Sequence, residues 1–176
     1  MQSLPKTFVV MGVSGSGKSR VGRMLAAALN GTFEDADDYH PEANRAKMAE
    51  GIPLTDADRW PWLQDLRARI VAHHCEANPY VLACSALKQR YRDLLRGDDS
   101  LATLVFIFLN GSKNSLEQRM IHRAQVEGHF MPVSLLESQL AVLEAPKEEE
   151  AIAFDISLAP DEIVRLILAH YAAKPV

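Results

Sequence analysis

The chain has 176 residues and a mass of 19.5 kDa, with 48% apolar and 24% charged residues, a formal charge of -4 and a pI near 5.9. A chain of this length buries roughly 70% of the surface its unfolded form exposes and sustains one core. That excludes a disordered segment, a collagen-like repeat and a disulfide-stapled mini-protein. The slightly acidic balance makes no general electrostatic case for nucleic acid or an anionic membrane, so an anionic ligand needs a local site.

The cysteines, Cys75 and Cys84, form no CxxC pair and read as free, mostly buried thiols of a reducing compartment. Met1-Gln-Ser-Leu-Pro-Lys6 has no charged, then apolar, then cleavable pattern of a leader. No apolar run approaches the ~20 residues that span a bilayer. The expectation is a single cytoplasmic domain over residues 1–176.

In chain order, Thr7-Phe-Val-Val-Met11 reads as a buried strand running into glycine. Val21, Met24, Leu25, Ala28 and Leu29 then recur at helical spacing, and Asn30-Gly31 supplies a stop. Thr32-Phe33-Glu34 suggests a very short strand. Helical patterns follow at Pro41–Glu50 and at Pro61–Cys75, the latter with Leu63, Leu66 and Ile70 on one face. Tyr80–Cys84 is the next strand and Ala86–Arg96 the next helix. Thr103–Leu109 is a strand, followed by helices at Ser115–Gln125 and at Ser134–Leu143, where Ser134 and Glu137 suggest a capping box. Lys147-Glu-Glu-Glu150 reads as a solvated turn, Ala153–Ile156 as a weak strand and Pro160–Tyr171 as the last helix. Fully apolar strands alternating with amphipathic helices indicate an α/β fold with a parallel sheet covered on both faces.

Gly12-Val-Ser-Gly-Ser-Gly-Lys18-Ser19 matches the phosphate-loop pattern GxxxxGK followed by Ser or Thr. A chain of this length matches it by chance on the order of once in a hundred sequences or less. Here the pattern also sits between a buried strand and an amphipathic helix, the context it requires. Its glycines let Gly12, Val13, Ser14, Gly15, Ser16 and Gly17 curl their backbone toward phosphate oxygens at a helix N-terminus. Lys18 neutralises the outer phosphates, and Ser19 can ligate Mg²⁺ beside ATP.

No guanine-reading NKxD sequence and no LSGGQ-like stretch occurs, and neither central strand ends in an aspartate. At this size a small-molecule kinase remains. It needs one carboxylate near the metal and one near the acceptor hydroxyl. Asp35-Ala-Asp37 offers both, projecting beyond a strand's end if the segment is extended. Asp35 is assigned to the metal shell, and Asp37 to orienting or deprotonating the acceptor.

With these residues in view, the chain resembles the gluconokinase family, ATP-dependent kinases that phosphorylate D-gluconate on its 6-hydroxyl to give 6-phosphogluconate. The resemblance runs from about residue 8 to 146. It includes Met11–Ser19, Asp35-Ala-Asp37-Asp-Tyr-His40-Pro41, Asn44, Lys47-Met48, Gly51-Ile-Pro-Leu54, Asp56, Asp58-Arg59 and Pro61-Trp62-Leu63. Cys84-Ser-Ala-Leu-Lys88, Tyr91-Arg92-Asp93, Arg119, Arg123, His129-Phe-Met131, Ser138-Gln139 and Leu143-Glu144-Ala145-Pro146 continue it. It implies a three-layer P-loop NTPase of nucleoside-monophosphate-kinase type, with a five-stranded parallel sheet, a lid near residues 120–135 and a homodimer.

Gluconate is an anionic polyol, so its pocket needs cations and hydrogen-bonding groups. Asp37, His40, Arg59, Lys88 and Arg92 are the substrate-binding candidates, with Arg59 first for the carboxylate. Arg119 and Arg123 lie one helical turn apart on one face. One suits the adenine, assigned here to Arg119, and the other the transferring phosphoryl, assigned to Arg123. The alternatives are a shikimate-type kinase, whose glycine-rich substrate turn has no Gly-Gly counterpart here, and an ATP-binding regulatory module without an acceptor.

Overall fold

The β-branched and aromatic run at Thr7–Met11 (β1) has no polar side to turn to water, and all five of its residues are buried. It lies at the centre of a sheet in the computed structural model, which describes residues 5–97, 104–127 and 133–172. The other strands are β2 (Thr32–Asp35), β3 (Tyr80–Ala83), β4 (Leu104–Asn110) and β5 (Ala151–Asp155), in spatial order β2-β3-β1-β4-β5. Every pairing is parallel, with Thr7 opposite both Tyr80 and Leu104. The expected three-layer α/β architecture with a five-stranded parallel sheet is therefore the one observed.

Alternation along β1 divides the core in two. Val9 and Met11 face one layer with Leu63, Leu66, Ile70 and Tyr91, from helices α3 (Asp56–His74) and α4 (Gln89–Arg96). Phe8 and Val10 face the other, with Val21 and Leu25 from α1 (Lys18–Ala28) and Ile163 and Ile167 from the helix Pro160–Ala172. Each fully buried Leu or Ile contributes about 1.5–3 kcal/mol. The remaining helices are α2 (Glu42–Ala49), α5 (Lys113–Glu127) and α6 (Val133–Val142), which makes Pro160–Ala172 α7.

Several boundaries differ from the sequence reading for local reasons. α3 begins at Asp56 rather than Pro61, because Thr55 and Asp58 form a capping box and the helix carries Pro61 in its interior. α4 begins at Gln89 rather than Ala86, since Ala86 adopts φ 45° and Lys88 is extended. The Ser134–Glu137 capping box does not form. Ser134 lies inside α6, and the Glu137 carboxylate accepts from Lys113 at 2.7 Å. Cys84 is buried as expected, and burial pushes its thiol up to about 12, whereas Cys75 is exposed at the end of α3. His73 and His74 close α3, with His73 stacked on Tyr80 at 4.2 Å.

The acidic run does form a turn with Lys147, Glu148 and Glu149 exposed, and the correction falls on its last residue alone. Glu150 is not a solvated turn residue: its carboxylate lies 2.6 Å from Arg92 Nε, with side-chain exposures of 11% and 1%.

Candidate active site

The C-terminal ends of β1, β2 and β3 converge on one rim, the place where open parallel sheets bind ligands. β1 runs into the loop Gly12–Gly17, and Lys18 opens α1. Gly12 has φ 147°, and a Cβ there would come within 2.7 Å of Leu109 O and 2.8 Å of Ser16 Oγ. Only glycine fits that backbone and that gap. Gly12 N–H also donates to Ser85 O at 3.4 Å, joining the loop to the segment after β3.

Lys18 Nζ folds back to donate to Val13 O at 3.1 Å. Burial pulls its ammonium below the usual lysine range, against the raising influence of Asp37 and Asp35. An arriving phosphate adds negative charge and reverses that pull.

Ser19 Oγ donates to Asp35 Oδ2, and the other oxygen of Asp35 accepts Asp37 N–H at 3.1 Å. Asp35 thus ends β2 and caps a single 3₁₀ turn, Ala36–Tyr39. That turn, rather than an extended segment, carries Asp37 into the cleft. A hydroxyl and a carboxylate in contact are a hard-oxygen pair of the type Mg²⁺ takes alongside substrate phosphates. No group of three or more His, Cys, Asp or Glu able to hold a metal occurs among the described residues.

The cleft walls push the Asp37 carboxyl upward while Lys18 pulls it down. Its side chain is 71% exposed, so water offsets most of that push in the open cleft. His40 Nε2 stands 3.8 Å from Asp37 Oδ1. The His40 ring stacks on Trp62 at 4.0 Å, and Trp62 Nε1–H donates to Ala36 O at 2.9 Å, so α3 props the turn that presents Asp37. Burial, then the charges of Arg59 and Arg45, lower the His40 pKa to about 4. The ring is neutral at pH 7.

Lys18, Asp37, His40 and Arg59 line a common pocket, with Met48, Leu54 and Trp62 as its apolar wall. Arg59 Nη1 donates to Leu54 O at 2.6 Å. Lys88 and Arg92 do not line it. Lys88 is 2.8 Å from Asp56, which also holds Arg90 and accepts from Tyr91 Oη–H. Arg92 spends its donors on Glu150 and on the carbonyls of Ala86 and Leu87, at 3.0 and 3.3 Å. Both cations brace the turn after β3.

Arg119, on α5, donates to Ile156 O, and its guanidinium passes beside Gly17. The charge of Arg123, one turn on, acts on both Lys18 and Asp37. His129, Phe130 and Met131 lie outside the described residues, as does part of the lid expected at 120–135. Sequence reasoning gave no role to Ser85, Ser138 and Gln139, which also line the pocket. Ser138-Gln139 and Ser85 stand in family-matching blocks, and that was the available signal. A larger hollow of about 520 Å³ opens at the opposite end of the sheet, near the starts of β4 and β5, and shares no residue with this pocket.

The family model described as shikimate kinase matches residues 14–169. A gluconokinase of Gluconobacter oxydans is 45% identical over 175 residues, 97% of this chain and 93% of that protein. One of Arabidopsis thaliana is 40% identical over 175 residues, covering 95% and 93%. The crystal structure of a gluconokinase from Sinorhizobium meliloti 1021 superposes with a TM-score of 0.84 at 48% identity, covering 97% of this chain and 94% of that one. Identity at this level over nearly the whole of both partners, around the loop and pocket just described, goes beyond a shared P-loop fold. The chain belongs to the gluconokinase family of P-loop kinases, within the broader shikimate-kinase-like group.

Proposed function

We propose that the protein transfers the γ-phosphoryl group of ATP to the 6-hydroxyl of D-gluconate, giving 6-phosphogluconate and ADP. The observation that carries this reading is the convergence of Lys18, from the phosphate loop, and Asp37, His40 and Arg59, from the acceptor side, on one pocket of a chain in the gluconokinase family. Gly12, Ser14 and Ser16 donate their N–H groups to Ser85 O, Gln139 Oε1 and Val13 O, so the remaining loop N–H groups, with Lys18, bind and align the β and γ phosphates. Ser19 and Asp35 would hold Mg²⁺, which when bound supplies positive charge to the phosphate oxygens. Asp37 accepts a hydrogen bond from the 6-hydroxyl and takes its proton as the oxygen–phosphorus bond forms and the bond to ADP breaks. Arg59 pairs with the gluconate carboxylate, and neutral His40 offers its Nε2 to a hydroxyl. Arg123 supports charge on the moving phosphoryl, and Arg119 flanks the nucleotide. Most of the acceleration comes from alignment and charge neutralisation.

This reading carries a single catalytic domain over 1–176 with a lid around 120–135, a homodimer, and a cytoplasmic setting where ATP and Mg²⁺ are at hand. No helix among the described residues is long and apolar enough to cross a membrane. The match to the shikimate kinase model makes shikimate the second acceptor to examine.

The test is ADP release from Mg-ATP with gluconate, other aldonates, shikimate, glycerol or no acceptor, with Lys18→Ala as a folded control. Turnover with gluconate that Lys18→Ala abolishes is expected. Preference for shikimate would replace the acceptor assignment, and nucleotide binding without acceptor-dependent ADP would favour a regulatory module.

A further inference from the structure

Two neighbouring polar side chains of α6, Ser138 and Gln139, line the pocket that holds Lys18, Asp37 and Arg59. Ser138 is engaged locally, its Oγ–H donating to Leu135 O at 2.8 Å. Gln139 reaches across 125 residues of chain instead, and its Oε1 accepts Ser14 N–H at 2.7 Å. Ser14 belongs to the phosphate loop, so the amide of Gln139 stands where the nucleotide half of the site meets the acceptor half.

A carboxamide carries one acceptor and one two-proton donor. With Oε1 on Ser14, the Nε2 hydrogens are the donors that remain, and no described residue accepts from them. The segment after α6 is anchored to the turn that follows β3. Glu144 N–H donates to Leu87 O at 2.9 Å, and the Glu144 carboxylate accepts Gln89 N–H at 2.7 Å. Gln139 is therefore held from both sides, by the phosphate loop at its tip and by the β3–α4 turn at its helix.

We infer that Gln139 binds the acceptor and sets its register against the phosphate loop: Oε1 stays on Ser14 N–H while Nε2 donates to an oxygen of the polyhydroxy acid. The inference rests on the gluconate reading above. A donor so placed selects for an acceptor oxygen, because a substrate without one leaves a partly buried amide unpaired. The amide also makes the loop and the acceptor one rigid unit, and a near-attack geometry requires that.

The experiment compares the native chain with Gln139→Leu, which removes both functions, and Gln139→Glu, which keeps the shape and an oxygen for Ser14 but removes the donor. ADP release is measured with gluconate and ATP varied separately, and again without acceptor. Gln139→Leu should raise the gluconate KM at least tenfold, lower kcat, and leave the ATP KM within threefold. Gln139→Glu should raise the gluconate KM at least as far, since a carboxylate oxygen there repels the sugar oxygens. It also keeps the question answerable if the Leu variant does not fold. An unchanged gluconate KM in Gln139→Glu overturns the inference. So does a lowered ATP KM in Gln139→Leu with gluconate unaffected, which would make the amide a plug on the phosphate loop. If the native chain turns over gluconate and the variants match it, only this inference fails; if the native chain turns over no acceptor, the functional reading fails with it.

Discussion

Arg92 Nε donates to Glu150 Oε1 at 2.6 Å from a guanidinium that is 1% exposed, joining α4 to the residue just before β5. The same guanidinium holds Ala86 O and Leu87 O, and Ala86 is the residue in that turn with positive φ. Removing the carboxylate leaves a buried cation with no counter-charge. Glu150→Ala should therefore cost about 3–5 kcal/mol, read from urea unfolding. The gluconate KM of the folded fraction should change little. A large rise in KM with stability intact would return Arg92 to the substrate.

Asp37 hangs in the cleft, its backbone N–H fixed by Asp35 and its carboxylate open to the pocket. Asparagine preserves the shape and cannot take a proton. Asp37→Asn should lower kcat by about a hundredfold or more and change the gluconate KM far less, in steady-state assays of the purified protein. A risen KM with kcat preserved would make Asp37 a binding group alone.

His40 titrates near 4 in the folded chain against an ordinary value of 6.5, through burial and the nearby Arg59 and Arg45. Between those values the unfolded chain holds the extra proton, so stability is full above about 6.5 and falls as pH drops toward 4. The loss is on the order of 3 kcal/mol across that window. His40→Phe keeps a ring against Trp62 and should flatten this part of the stability–pH curve, measured by urea midpoints at pH 4.5 and 7. A curve identical to the native one would show that His40 is not the titrating group.

The legible parts of this protein are those whose meaning is local. The phosphate loop declares itself because its glycines, lysine and serine act within eight consecutive positions, Gly12 to Ser19, between a strand and a helix. The apolar faces of β1 and α3 were equally plain, since Val9 and Leu66 are buried by the same periodicity that marks them. The start of α3 was readable too, in Thr55 and Asp58, but Pro61 drew the boundary inward. Lys88, Arg92 and Glu150 were not legible, because a charged side chain in a string of letters looks the same whether it meets ligand, water or another chain segment.

By itself, then, the sequence determined the strand–loop–helix that takes phosphate, the paired aspartates at the end of β2, and the family. Only the tertiary structure decided which cations are committed elsewhere and which polar groups share the pocket. Arg92 finds its partner 58 residues away and Gln139 finds Ser14 125 residues away. Such contacts depend on how α4, α6 and the β5 approach pack around the sheet. Periodicity sets which face of an element is buried, but the element opposite that face is chosen by the fold as a whole.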